Sequence, residues 1–365
     1  MPRPFFSVVI PTKNRANLLT GAFDSVGRQS FEDYELILVD NDDSDETLRF
    51  AATVNLPQFR QIRTGGLSMA DNWQAGIDAA SGEYLVLLYD KMRLKEGALA
   101  EVFQHLKSRR SDFLTWRSQG IIEGEIPANS KPESGLVHEI NCRELLEEAA
   151  SGRWKSFNRV APRGVNGAIR RDKIAEIQNN WKLNFSRPGT PDYVMATMSL
   201  LSTKNISHLD RVLVNFLLEA PSNGRDALAK RVDSESIALN MGVSLEYLSE
   251  NVPVKFLSSN NVIYNDFVRV CKECPTPPQD LEIDWSMYYF SLLDELDRMH
   301  TAGTETELED GKFLESLQRE SLQIRWKLVT HILRDAVDQS RLPVKESALL
   351  KRALRRLRFA FRSFR

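Results

Sequence analysis

Cysteine and histidine are scarce in this chain of 365 residues, its net charge is close to zero, and it holds no long apolar run. Each shortage excludes something. Three cysteines, an odd number, do not make a disulfide framework and fit a reducing compartment. Cys271-Lys272-Glu273-Cys274 is a solitary CxxC without the second pair that a structural zinc site needs. It also stands before proline-rich residues, outside the βαβ setting of a thioredoxin-type motif. His105, His138, His208, His300 and His331 show no metal-ligand spacing. A formal net charge of −2 provides no global basic field, so nucleic acid is not expected as a partner. Nothing approaches the ~20 consecutive apolar residues of a membrane span. Met1-Pro2-Arg3-Pro4 leads directly into a strand, so a cytoplasmic chain without a secretory leader is expected.

What is present is ordinary in amount and informative in order. A composition 42% hydrophobic and 27% charged is that of a globular protein. The length predicts one large or two ordinary domains. Strands fit residues 5–10, 35–39, 60–63, 84–88 and 113–116; helices fit 16–26, 45–52, 68–80 and 96–107. Strand and helix in alternation predict an α/β fold, a mostly parallel sheet with helices on both faces. Residues 119–140 read as an irregular excursion, and 141–218 resume mixed structure. From about Arg225 helical patterns dominate. The stretch 218–224, rich in turn formers, is the expected junction between a first domain over residues 1–220 and a helical domain over 221–365. A second linker, 274–280, holds three prolines.

Two loops carry chemistry. The first strand stops at Pro11-Thr12-Lys13-Asn14-Arg15, and the second ends in Asp40-Asn41-Asp42-Asp43-Ser44-Asp45. Open parallel sheets bind ligands at the carboxyl ends of their strands. One cationic and one anionic strand end suit the two ends of a nucleotide. With Gly66-Leu67-Ser68-Met69-Ala70-Asp71-Asn72 before the fourth strand and Asp90 after it, the order resembles the inverting family-2 glycosyltransferases. These have the GT-A fold, a Rossmann-like sheet, and use nucleotide-sugar donors. The resemblance covers roughly residues 5–110, and 155–218 more weakly. It implies that Pro11, Thr12, Asn14, Arg15, Asp40, Asn72, Asp90 and Lys91 bind the donor, with Asp40 on the base. Uridine diphosphate is favoured as the carrier. Read by themselves, Asn14 or Asn17 would cap a helix, and Asp42, Asp43 and Asp45 would complement a helix dipole.

The chain departs from the family at its fourth strand. A second acidic residue is usual after Asp90, where magnesium or manganese would bridge the diphosphate; here Lys91 stands instead. Asp90 is therefore a doubtful metal ligand. Lys91 would repel a cation and could carry part of its charge on the departing diphosphate. Alternatively the site is degenerate and the protein a non-catalytic sugar-nucleotide binder or scaffold. Inverting transfer needs a carboxylate to take the acceptor's proton. The family keeps it in an acidic pair that opens a helix. Thr190-Pro191-Asp192 is the match, with Asp192 as candidate base and Pro191 in place of the first acid. Gly164-Val165-Asn166-Gly167 allows close backbone approach near the sugar, and Trp154 and Trp181 are either a stacking platform or core.

The end of the chain is helical and basic. Leu350, Leu354, Leu357, Phe361 and Phe364 form one stripe; Lys351, Arg352, Arg355, Arg356, Arg358 and Arg362 cover most of the rest. Such a helix over 349–365 either lies on an anionic membrane surface, near a lipid-linked acceptor, or packs on its own domain or a second subunit. The expected partners are thus a nucleotide-sugar donor, a glycan or lipid-linked acceptor, and a membrane surface or an oligomer contact.

Overall fold

The computed structural model describes residues 3–122, 132–220, 233–301, 303–340 and 346–364. The chain begins β1 (Phe6–Thr12), α1 (Ala16–Gly27), β2 (Tyr34–Asp40), α2 (Glu46–Ala51), β3 (Phe59–Arg63), α3 (Met69–Ala79) and β4 (Tyr84–Leu87). Every residue of β1 is buried, as a strand covered on both faces requires. Helix α1 buries Leu19, Ala22, Phe23 and Val26, one stripe at i, i+3, i+4 and i+7. Elements β5 (Met92–Leu94), α4 (Ala98–Ser108), β6 (Phe113–Ile121), β7 (Val137–Asn141), α5 (Cys142–Ala150), α6 (Trp154–Val160), β8 (Gly167–Arg170), α7 (Arg171–Trp181), α8 (Pro191–Leu201) and β9 (Asn205–Leu217) complete the first half.

The sheet runs β3-β2-β1-β4-β8-β6-β9-β5, with β7 on β9. The first four of these strands are parallel, and β8 is antiparallel to both its neighbours. Register matters for function: Thr12 pairs with Asp40 and Val9 with Leu87, so β1, β2 and β4 end at one edge. The stretch 119–140, expected to be irregular, in fact begins and ends in strand. Strand β6 continues to Ile121 and β7 starts at Val137, both held by β9. Residues 123–131 lie outside the described set, as do Pro221–Gly224 of the expected domain junction.

After residue 233 the described residues hold helices and no strand: α9 (Ser234–Asn240), α10 (Ser259–Glu273), α11 (Trp285–Thr301), α12 (Glu307–Gln318), α13 (Leu322–Ser340) and α14 (Glu346–Phe361). Tyr288, Tyr289, Leu292, Phe313 and Leu328 are the centre of a second core. Trp154 packs against this core and the first, with ring contacts to Tyr264 and Phe267. Trp181 is buried and donates to Ser202 Oγ at 3.1 Å. Both tryptophans are therefore core, not a sugar platform.

The terminal helix also differs from expectation. Arg356, placed by its spacing on the solvated face, is 2% exposed and pairs with Asp294, Asp297 and Asp335. Arg355 pairs with Asp297 at 2.9 Å. Acidic residues on α11 and α13 pull this face of α14 inward, which helical periodicity in α14 alone does not reveal. Leu357 is half-buried and Phe361 is 43% exposed; the side chains of Leu350, Lys351, Arg352 and Leu354 lie outside the described residues. Cys271 and Cys274 are free thiols, and burial raises Cys271 to about 12, so neither reads as reactive.

Candidate active site

The first loop is held by the second. Asn14 has φ +54, a left-handed conformation that asparagine tolerates better than most residues. Its amide donates to Asp43 Oδ2 at 2.7 Å, its carbonyl accepts from the Asp43 backbone at 3.0 Å, and its backbone N–H donates to Asp42. Asp42, 3% exposed, takes the Thr47 hydroxyl at 2.6 Å on its other oxygen. Asp42 and Asp43 are thus loop clamps more than helix caps. Asp45 pairs with Arg63 at 2.6 Å and makes no side-chain cap bond. Neither Asn14 nor Asn17 caps α1; its cap position is Arg15, without a side-chain bond.

This clamp aims Thr12 and Arg15 at Asp90. Thr12 Oγ1 donates to Asp90 Oδ2 at 3.2 Å, and Arg15 approaches Oδ1 at 3.7 Å. Asp90 is 4% exposed; burial pushes its carboxyl up, against the pull of Arg15 and Thr12. Asn72 is buried, takes the Thr64 hydroxyl at 2.8 Å and ties α3 to the end of β1. Asn41 fixes the Gly65-Gly66 turn by accepting from Leu67 N and donating to Leu67 O.

Asp192 lies in the first turn of α8, after Pro191 at the position where its missing N–H costs nothing. Its carboxylate faces Arg163 at 3.5 Å. Burial raises Asp192 above the usual carboxylate range, with Arg163 opposing. Tyr89, just before Asp90, is close enough to Asp192 that the carboxylate, after burial, raises the pKa of its hydroxyl. Gly164 has φ +77, and a Cβ there would press on Leu87 at 2.8 Å. The glycine run thus lets this loop pack on β4 and brings Arg163 to Asp192; the site's contribution from this run is the arginine.

Thr12, Asn14, Arg15, Asn72, Tyr89, Asp90 and Asp192 line one cavity of about 540 Å³, within the range of ligand sites, while Arg163 stands behind Asp192 outside that lining. The sheet half contributes Thr12, Asn14, Arg15, Asp90 and Lys91 to the lining, with Pro11, Asn72 and Asp192. The helical half supplies an apolar part of the lining: Ile237, Met241, Leu257 and Val262. Asp40 is the exception among the expected residues. It is fully buried behind the cavity, where Oδ1 accepts from Asp42 N at 3.0 Å and Oδ2 from Gln61 Nε2 at 2.8 Å. Sequence reasoning missed Tyr89, Arg163 and the apolar wall. Tyr89 and Arg163 adjoin flagged positions; nothing in the sequence marked the wall.

The donor set fits a protein-held divalent cation poorly. Hard cations take several oxygen ligands. Asp90 is one carboxylate, already bonded to Thr12 and flanked by the charges of Arg15 and Lys91. Among the described residues no group of three or more His, Cys, Asp and Glu is placed to hold a metal ion.

Residues 7–176 match the model of "Glycosyl transferase family 2". A "PGL/p-HBAD biosynthesis glycosyltransferase" of Mycobacterium bovis is 40% identical over 91 residues, 24% of this chain and 36% of that protein. A "GalNAc(5)-diNAcBac-PP-undecaprenol beta-1,3-glucosyltransferase" of Campylobacter jejuni is 33% identical over 108 residues, 28% and 34% of the two chains. The chain thus spans about a third of the length of these curated relatives. A crystal structure of S. aureus TarS 1–349 in complex with UDP-GlcNAc superposes over 99% of this chain and 91% of its own, with TM-score 0.54 at 14% identity. That likeness is one of fold.

Proposed function

We propose that this chain, whose residues 7–176 form a family 2 glycosyltransferase domain, is an inverting transferase that moves a sugar from a nucleoside diphosphate to an acceptor hydroxyl in glycan biosynthesis. One observation carries the reading: a half-buried carboxylate, Asp192, and a cationic edge, Arg15 and Lys91, open on the same cavity. In the step proposed, the acceptor hydroxyl gives its proton to Asp192 as its oxygen bonds to the anomeric carbon. The bond from that carbon to the diphosphate oxygen breaks on the opposite face, and configuration inverts. Negative charge grows on the leaving diphosphate, where Arg15 and Lys91 stabilise it. A uridine carrier follows from the correspondence at Asp40, with base contact requiring Gln61 to release that carboxylate. A panel of nucleotide sugars, assayed for hydrolysis and transfer, tests the reading. Binding of uridine diphosphate by calorimetry without turnover of any donor would instead support the second reading, a non-catalytic binder, which the lone carboxylate at Asp90 favours.

A lipid-linked acceptor would bring the protein to the cytoplasmic face of a membrane. Among the described residues no helix is long and apolar enough to cross one. A peripheral surface is available at α13 and α14. Leu322, Trp326, Leu333 and Val337 form an exposed row on α13, continued by Phe361 against Trp326. Exposed Lys327, Arg334, Arg358 and Arg362 accompany it. Each such cation contributes ~1 kcal/mol near an anionic surface, screened by salt. We expect sedimentation with phosphatidylserine vesicles at low salt, release at high salt, and weakened binding in Trp326→Ser/Phe361→Ser. Protein that stays in the supernatant at low salt, or that forms dimers lost in the same variant, makes the row a contact between subunits.

A further inference from the structure

The turn that delivers Asp192 to the cavity is held by one face of α10. Asp266, Arg269 and Glu273 stand at i, i+3 and i+7 of that helix and project together. Asp266 is fully buried. Its Oδ2 accepts from Thr190 N at 2.6 Å and from Thr190 Oγ1 at 2.7 Å. Its Oδ1 accepts from Arg269 Nη2 at 3.0 Å, and the same nitrogen donates to the Pro188 carbonyl at 3.1 Å. Glu273 receives Arg187. Gly189, between these anchors, has φ +102, and a Cβ there would collide with the Asp266 carboxylate. Thr190 occupies the cap position of α8 but makes no side-chain cap bond; its hydroxyl is turned to Asp266 instead. The same helix, one and two turns earlier, sends Ser259, Val262 and Ile263 into the lining of the cavity that Asp192 also lines.

We propose that Asp266 is the positioning residue of this site: through Thr190 it fixes the first turn of α8, and so the direction from which the Asp192 carboxylate meets the acceptor hydroxyl. This rests on Asp192 as the base. A carboxylate remote in sequence is thereby part of the transfer machinery, and the helical half is needed for chemistry as well as for stability. The charged and titratable groups facing Asp192 are Arg163, Tyr89, Tyr193 and Asp266. Arg163 favours the ionised base, and the charge of Asp266 opposes it. Asp266 therefore acts on Asp192 in two separable ways, by geometry through Thr190 and by charge through space.

The test compares wild type, Asp266→Asn, Thr190→Val and Gly189→Ala in the full chain. It uses the nucleotide sugar turned over in the panel and calorimetry with uridine diphosphate. The expected result is a fall in kcat on the order of tenfold in each variant, with uridine diphosphate affinity unchanged. Asp266→Asn also moves the acid limb of kcat/KM to lower pH, because a negative neighbour of the base is gone; Thr190→Val leaves the limb in place. A purely structural role would not separate the two variants in this way. If Asp192→Asn is inactive while Asp266→Asn and Thr190→Val turn over at the wild-type rate with an unmoved limb, the positioning role is overturned and the base stands. If Asp192→Asn itself turns over normally, both fall. Should Asp266→Asn fail to fold, Thr190→Val, which removes one half-buried hydroxyl, decides by its kcat alone.

Discussion

Asp192→Asn is expected to lower transfer by about 10²–10⁴-fold, the usual contribution of a positioned general base, while uridine diphosphate affinity holds. The amide keeps the size of the carboxylate and can still face Arg163 and Tyr89, so the fold and the donor edge should be undisturbed. What it loses is the capacity to take a proton. A base works best when its pKa is near the operating pH. Burial moves Asp192 in that direction, and Arg163 opposes the shift. The rate should accordingly fall on the acid side as Asp192 is protonated, at a pH above that of an ordinary aspartate. Single-turnover measurements of wild type and variant, with donor affinity measured in parallel, check both statements. Transfer at the wild-type rate in Asp192→Asn would move the base elsewhere and remove the motive for the Asp266 network.

The parallel half of the fold was legible because its signals are local. Residues 8–10 and 36–39 are apolar at every position, and helices such as α1 bury a 3.6-residue stripe; both are local sequence signals. The antiparallel edge was harder. Strands β5 and β8 are three and four residues long and owe their existence to pairing with β9, β4 and β6. Short segments of that kind carry little pattern of their own. The same division runs through the site. Thr12, Arg15 and Asp90 were readable because each follows a recognisable strand, and parallel register brings strand ends together. Asp40 was readable as a strand-end acid, but not its enclosure, because Gln61 reaches it from the neighbouring strand. Asp266 lies in a helix that by sequence is only amphipathic. Its role depends on packing between two distant segments. The burial of Arg356 has the same cause, since its three carboxylate partners come from other helices.

Chelation is expected to leave transfer near its starting rate, and Lys91→Ala to lower kcat by about 10²–10³-fold, the cost of removing one preorganised group that stabilises developing charge. The argument is electrostatic. A departing nucleoside diphosphate gains negative charge as its bond to the sugar breaks, and something positive must meet it. A divalent cation could do so if enough oxygen ligands held it. Here the edge offers Asp90 alone, with its oxygens turned to Thr12 and Arg15, and the next side chain is Lys91. A cation between two fixed positive groups would be repelled by both, whereas the diphosphate would be attracted by both. In the proposed mechanism Arg15 and Lys91 are the permanent counter-charge, and Asp90 orients Arg15. Lys91→Arg, which keeps the charge, should retain much of the rate; Lys91→Ala should not be rescued by magnesium or manganese. Rates measured with and without chelator, for wild type and both variants, decide it. Activity abolished by chelator and restored by manganese, with Lys91→Ala unaffected, would show that substrate phosphates recruit a metal to Asp90 after all.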